Sequence, residues 1–178
     1  MEEYEGPKFR AIKVPGEVPL RCAERLLSLD AQPGAFLPPS TNGNLSILCE
    51  KGFLIKGTGA TLTLLAIEDL SYVFSLDERS LSVTFAGAAP SSESFMHHLI
   101  YRSVPASSIL HFHGEELLSR SLPFPSVPPL PYGSLELAKA VSLEAKRSKT
   151  IILREHGFVI WAESDGELLS LLRNLLQK

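Results

Sequence analysis

Two histidines stand two residues apart in the apolar stretch "ILHFHG", Ile109 to Gly114. Side chains alternate between the faces of a β-strand, so His111 and His113 project side by side while Phe112 faces the other way. Imidazoles placed like this can share a metal ion, and three of them with one open position form the ligand pattern of a catalytic zinc. A third imidazole is at hand in His156, in the turn "REHG" between two apolar runs. Upstream, Glu93 opens the segment "SESFMHHLIYRS", and His97 follows one helical turn later on the same face. A carboxylate beside a metal site is a candidate proton shuttle. Each of these residues also has a plainer reading. A His-x-His pair can be a satisfied core or surface pair, and Glu93 can be a helix-start carboxylate that suits the dipole. A cupin site needs its acid farther beyond the paired histidines than Glu115 and Glu116 lie. His98 reads as structural or exposed, Cys22 and Cys49 as buried thiols, and Trp161 with the phenylalanines as core.

The elements that must position these groups are legible in outline. Val18, Cys22, Leu26 and Leu29 have near-helical spacing and predict a first amphipathic helix. "LSILC" and "GFLIK" read as strands joined by a short turn, and "SYVFSLDERSLSVTFAG" as a second hairpin with "DERS" at its tip. Ser91 or Ser92 is placed to cap a helix that runs to about Ser103, with Glu93 in its first turn. "SSILHFHG" follows as a strand and "EELLSRS" as a short helix. Residues 122–132 hold five prolines and predict an ordered loop. A helix with Leu135, Leu137, Ala138, Val141 and Ala145 inward comes next, then two strands meeting at "REHG" and a capped C-terminal helix. Residues 1–15 read as an irregular arm. Hairpins mixed with helices predict a mainly antiparallel sheet covered by helices, in one domain spanning residues 1–178.

Composition narrows the class of protein. The chain has 178 residues, 44% hydrophobic and 21% charged, with net charge -3, values typical of a globular protein. No Lys/Arg run makes a nucleic-acid footprint, no apolar run reaches the roughly 18 residues of a membrane span, and the acidic start "MEEYEGPKFR" is not a secretory signal. Two cysteines without a CxxC pair suit a reduced, cytoplasmic setting. No GxGxxG or P-loop motif is present.

The motifs become specific in combination. "STNGNLS", "KGTG", "PSSESFMHHLIYRSVPASSILHFHG", "YGSLELAKAV" and "ILREHGFVIWAES" occur in this order. The set resembles the class II aldolase and adducin superfamily from about residue 18 onward. The resemblance implies a three-layer α/β/α domain with a mainly antiparallel central sheet. It also implies zinc, or another divalent metal, on His111, His113 and His156, with Glu93 as catalytic acid/base. Asn44, Thr58, Gly59, Ser91 and Ser92 match the positions that cradle a substrate phosphate. The implied activity is cleavage of a small phosphorylated ketose, through a metal-stabilised enediolate, to dihydroxyacetone phosphate and an aldehyde, usually in a tetramer. The superfamily also holds sugar-phosphate dehydratases, 4-epimerases and the non-catalytic adducin head, a binding or assembly module. Glu93 is Asp in the epimerases, and the adducin-like reading expects the histidines to be lost.

Overall fold

The apolar alternation yields strands that pair into one sheet. In the computed structural model, which describes residues 8–178, the strands are β1 (Arg10–Lys13), β2 (Asn44–Cys49), β3 (Gly52–Lys56), β4 (Leu70–Asp77), β5 (Ser82–Gly87), β6 (Ser108–Phe112), β7 (Ser126–Val127), β8 (Thr150–Leu153) and β9 (Gly157–Ala162). Their order across the sheet is β1-β5-β4-β3-β2-β6-β9-β8-β7. Every pairing is antiparallel except the outermost on each side, β1 with β5 and β7 with β8.

Helices cover both faces, as the alternation requires. One layer is α2 (Ser94–Ser103) packed on α4 (Leu135–Ala145). Phe95, Ile100, Val141 and Ala145 meet the sheet residues Ile55, Val73, Ile109 and Val159 there. The opposite layer is α1 (Leu20–Asp30) and α5 (Asp165–Leu176), whose Leu26, Leu29, Leu168 and Leu172 close on Leu45, Ile47, Leu110 and Ile160. Along β2 the alternation is clean: Leu45 and Ile47 join the second core, so Asn44 and Ser46 turn toward α2. A short helix, α3 (Glu115–Leu118), follows β6. Arg25 of α1 clamps Asp165 at the start of α5 with two hydrogen bonds of 2.6 and 2.8 Å. That bidentate geometry fixes the angle between the two helices.

Three expectations change. Residues 10–13, read as part of an irregular arm, form edge strand β1, which pairs with a strand some 70 residues away (Arg10 with Ser82); local pattern does not reveal such a partner. Residues 1–7 of that arm lie outside the described residues. The proline-rich loop contributes the two-residue β7, tolerated because it is an edge strand and its pairing residues are Ser and Val. Cys22 and Cys49, expected as separate thiols, form a disulfide with Cα atoms 6.4 Å apart, because α1 packs across β2. Among the described residues no helix is long and apolar enough to cross a membrane.

The β6–β9 pairing is tightest where it delivers the histidines. A Cβ built on Gly157 would collide with the Phe112 carbonyl and press on His113 Cα. Gly157→Ala is expected to cost about 1–3 kcal/mol, the range for overpacking a close-packed site. Urea unfolding measures this, and an unchanged midpoint would show that the strands can separate freely here.

Candidate active site

Three antiparallel strands and one helix start converge at the same end of the sheet. Asn44 of β2 lies opposite His111 of β6, and His111 lies opposite Val159 of β9. His113 follows the end of β6. His156 ends the tight β8–β9 turn, in which Glu155 adopts a left-handed conformation (φ 64°). The candidate ligand atoms of His111, His113 and His156 lie within 4.8 Å of one another. His111 is fully buried, His156 half-buried and His113 exposed, so the cluster opens toward solvent on one side. The His111 Nδ1–H donates to the Phe158 carbonyl at 3.0 Å. This fixes the tautomer and turns the Nε2 lone pair into the cluster, 3.1 Å from His156 Nε2.

Glu93 completes the group. Its Oε2 is 3.3 Å from His111 Nε2 and its Oε1 is 3.5 Å from His156 Nε2. Asn44 Nδ2 donates to Oε2 at 2.9 Å. Glu93 is not in the first turn but at the N-cap of α2, and its side chain makes no cap bond. The cap work falls instead to Ser91, whose Oγ accepts from the Glu93 N–H, while Ser94 Oγ donates to the Ser91 carbonyl. The carboxylate is thereby released to face the imidazoles. It is 5% exposed, and Oε1 has no hydrogen-bond partner among the described residues. A buried carboxylate beside the His111 and His156 nitrogens, with His113 in the same cluster, is a donor set that fits a divalent cation.

Beside this cluster the predicted anion cradle assembles. Asn44 Nδ2 also reaches Ser91 Oγ at 3.2 Å. Ser91 Oγ thus accepts from Asn44 and from the backbone, which leaves its own hydrogen to donate. Thr58 is zipped to the strand before Ser91: its N–H donates to the Ala89 carbonyl at 2.9 Å and its hydroxyl to the Pro90 carbonyl at 2.8 Å. The Thr58 hydroxyl therefore shapes the loop. Gly59 turns that loop with φ 79° and has open space around it. Ser92 rests against Gly133.

Two side chains stand here to which sequence reasoning assigned no role. Lys56, at the end of β3, is buried, and its ammonium donates to the Thr41 carbonyl at 3.0 Å. Burial pushes it down to about 8, against the pull of Asp30, Asp69 and Glu93. Its signal in the sequence was the first letter of "KGTG". The ring of Tyr132, from the proline-rich loop, stands 6.4 Å from that of His156, with the Lys8 ammonium over it at 5.2 Å. His98 lies apart from the cluster, in a surface pocket with Phe74 and Arg102.

A mainly antiparallel sheet between helix layers, carrying three imidazoles and a carboxylate at one end, defines a three-layer α/β protein with a metal-type site. The sequence profile of the family described as Class II Aldolase and Adducin N-terminal domain matches residues 35–175. The chain belongs to that family. It is 32% identical over 139 residues to a fluorothreonine transaldolase of Streptantibioticus cattleyicolor, covering 76% of this chain but only 22% of that protein. It is 28% identical over 158 residues to an L-fuculose phosphate aldolase of Haemophilus influenzae, covering 78% of this chain and 71% of the other. The crystal structure of L-fuculose-1-phosphate aldolase from Thermus thermophilus superposes with a TM-score of 0.71 at 23% identity, over 89% of this chain and 91% of that one. The likeness extends to the mixed, mostly antiparallel sheet with flanking helices.

Two predictions follow from the geometry. His113→Ala is expected to abolish stoichiometric divalent metal binding while His98→Ala leaves it intact; elemental analysis of the purified proteins decides, and metal retained by His113→Ala removes the site. The second concerns acid. Burial pushes His97 and His111 down to about 3 and His156 to about 4. Unfolded, these rings titrate near 6.5, so below that pH the unfolded chain binds more protons than the folded one. Their contribution to stability is complete above about pH 6.5 and is lost as pH falls toward about 3. The thermal midpoint of the metal-free protein should decline across that window; a flat profile would mean that the rings protonate in place.

Proposed function

We propose that the chain is a zinc-dependent aldolase that cleaves a small phosphorylated ketose to dihydroxyacetone phosphate and an aldehyde, working as a homotetramer. The observation that carries this reading is Glu93: a buried carboxylate held by Asn44 against His111 and His156, next to a cradle of small hydroxyl and glycine residues.

The chemistry asks for those parts. Cleavage breaks the carbon–carbon bond beyond the ketone's neighbouring carbon. The hydroxyl proton of the departing fragment passes to the Glu93 carboxylate, its oxygen becomes the aldehyde carbonyl, and the bond's electron pair stays on the ketone fragment as an enediolate. Protonation of that carbon gives dihydroxyacetone phosphate. A divalent metal on His111, His113 and His156 supplies Lewis-acid polarisation of the ketone and its adjacent hydroxyl. Glu93 delivers the proton to the enediolate carbon in cleavage and removes it in synthesis. Its hydrogen bond from Asn44 aims one oxygen and leaves the other free for the substrate proton. Ser91, Ser92, Asn44 and the Thr58–Gly59 turn receive the phosphate, with the buried charge of Lys56 behind them. The relatives whose names specify phosphorylated sugars support this substrate class.

A cleavage screen over phosphorylated ketoses, reading release of dihydroxyacetone phosphate, tests the proposal. Glu93→Gln is expected to lower kcat by at least about 100-fold, the scale of a lost proton shuttle, with metal content unchanged. Turnover that survives in Glu93→Gln would refute its role. Loss of water or inversion at carbon 4, without release of dihydroxyacetone phosphate, would reassign the reaction within the superfamily.

A further inference from the structure

Among the buried titratable groups that the reaction does not use, one lies directly beneath the site. His97 is 0% exposed, and so is Ser46 of β2. The His97 Nδ1 is hydrogen-bonded to Ser46 Oγ at 2.7 Å, and Ser46 Oγ to the Tyr101 hydroxyl at 2.8 Å. Among the described residues His97 Nε2 has no partner, so the bond to Ser46 is the ring's only polar tie. Burial holds the imidazole neutral at physiological pH. A buried neutral ring with one hydrogen bond adds little net stability over an apolar residue of its size. Stability alone therefore does not account for it.

Its place in the fold does. Glu93, His97 and Tyr101 recur every four residues and form one stripe down α2. Facing them, Asn44 and Ser46 are successive residues on one face of β2. The contacts pair off like rungs: Asn44 with Glu93, then Ser46 with His97 and Tyr101. Apart from these rungs and the exposed Arg102–Glu78 pair at 3.9 Å, α2 packs through apolar side chains, which restrain its rotation by shape and not by directed bonds. Side chains ride at a radius of roughly 5–6 Å on a helix, so a rotation of about 10° displaces them by about 1 Å. A shift of that size at Glu93 would break its approach to His111.

We propose that Ser46 and His97 are a positioning pair that locks the rotation of α2 against β2 and so keeps the Glu93 carboxylate on the histidine cluster. The proposal rests on the reading of Glu93 as the acid/base, and its test separates the two. The assay is proton exchange of dihydroxyacetone phosphate in D2O by the metal-loaded protein, beside metal content and a crystal structure of each metal-free variant. His97→Leu fills the space without the polar tie. It should lower kcat for exchange by on the order of 100-fold, the penalty for a misplacement of about 1 Å, with KM within about threefold and metal retained. Ser46→Ala should do the same through the smaller change, and serves if His97→Leu does not fold. His97→Asn keeps a polar atom at the Nδ1 position and should stay within about threefold of wild type. In the His97→Leu crystal structure Glu93 should be drawn away from His111. Wild-type kcat in His97→Leu and Ser46→Ala, or an equal loss in His97→Leu and His97→Asn, overturns the positioning role while Glu93→Gln stays inactive. Exchange that persists in Glu93→Gln overturns the reading beneath it and this proposal with it.

Discussion

A carboxylate buried among imidazoles is the constraint on which the site depends. Glu93 has one oxygen satisfied by Asn44 and, among the described residues, one without a hydrogen-bond donor. An uncompensated buried charge is costly unless it meets a partner, and here the candidate partner is a cation held by His111, His113 and His156. Fixing such a group takes rigid supports on every side. The protein provides a helix start from which the carboxylate is excluded as a cap, an asparagine donor on the neighbouring strand, and a histidine whose other nitrogen is tied to the Phe158 carbonyl.

Antiparallel register makes those supports coincide. With Asn44 opposite His111, the donor to Glu93 and the most buried histidine face each other across one ladder step. A one-residue slip between β2 and β6 would turn Asn44 toward Leu26 and Leu29 and send Leu45 into the site. The hydrophobic alternation of β2 forbids that slip, since Leu45 and Ile47 are wholly buried in the opposite core. The site geometry and the stability of the second core are thus set by the same register. Function can be lost without any change to a functional residue if that register moves.

How far the sequence disclosed this depends on whether a feature is local. The spacing of His111 and His113 fixes their common face, because strand periodicity acts over two residues. The hairpins, the helix ending at Ser103 and the Ser164 cap of the last helix are local in the same sense. Resemblance, not periodicity, linked His156 and Glu93 to that pair. What stayed hidden is what only long-range packing decides. Lys56 sits in a quoted motif, yet its burial depends on the Thr41 loop reaching back to it. Cys22 and Cys49 are 27 residues apart and meet only because α1 crosses β2. Strand β1 has no pattern of its own and exists through β5. The His97–Ser46 contact joins residues 51 apart.

The two halves of the site are held by different kinds of structure. Asn44, Glu93 and His111 belong to strands and a helix start, and are buried. His113, His156, Gly59 and Tyr132 belong to turns and loops at the solvent side, where Tyr132 approaches His156 from the proline-rich segment. The geometry of the first half cannot shift without disturbing the core. The second half faces solvent, where the prolines restrain the backbone but packing confines the side chains less. One scaffold can therefore keep its buried carboxylate and its supports fixed while the loops around the open face vary. Here that face carries the Tyr132 ring, 6.4 Å from that of His156 and with the Lys8 ammonium over it, so a change in the proline-rich loop alters the surroundings of the histidines without touching the buried supports.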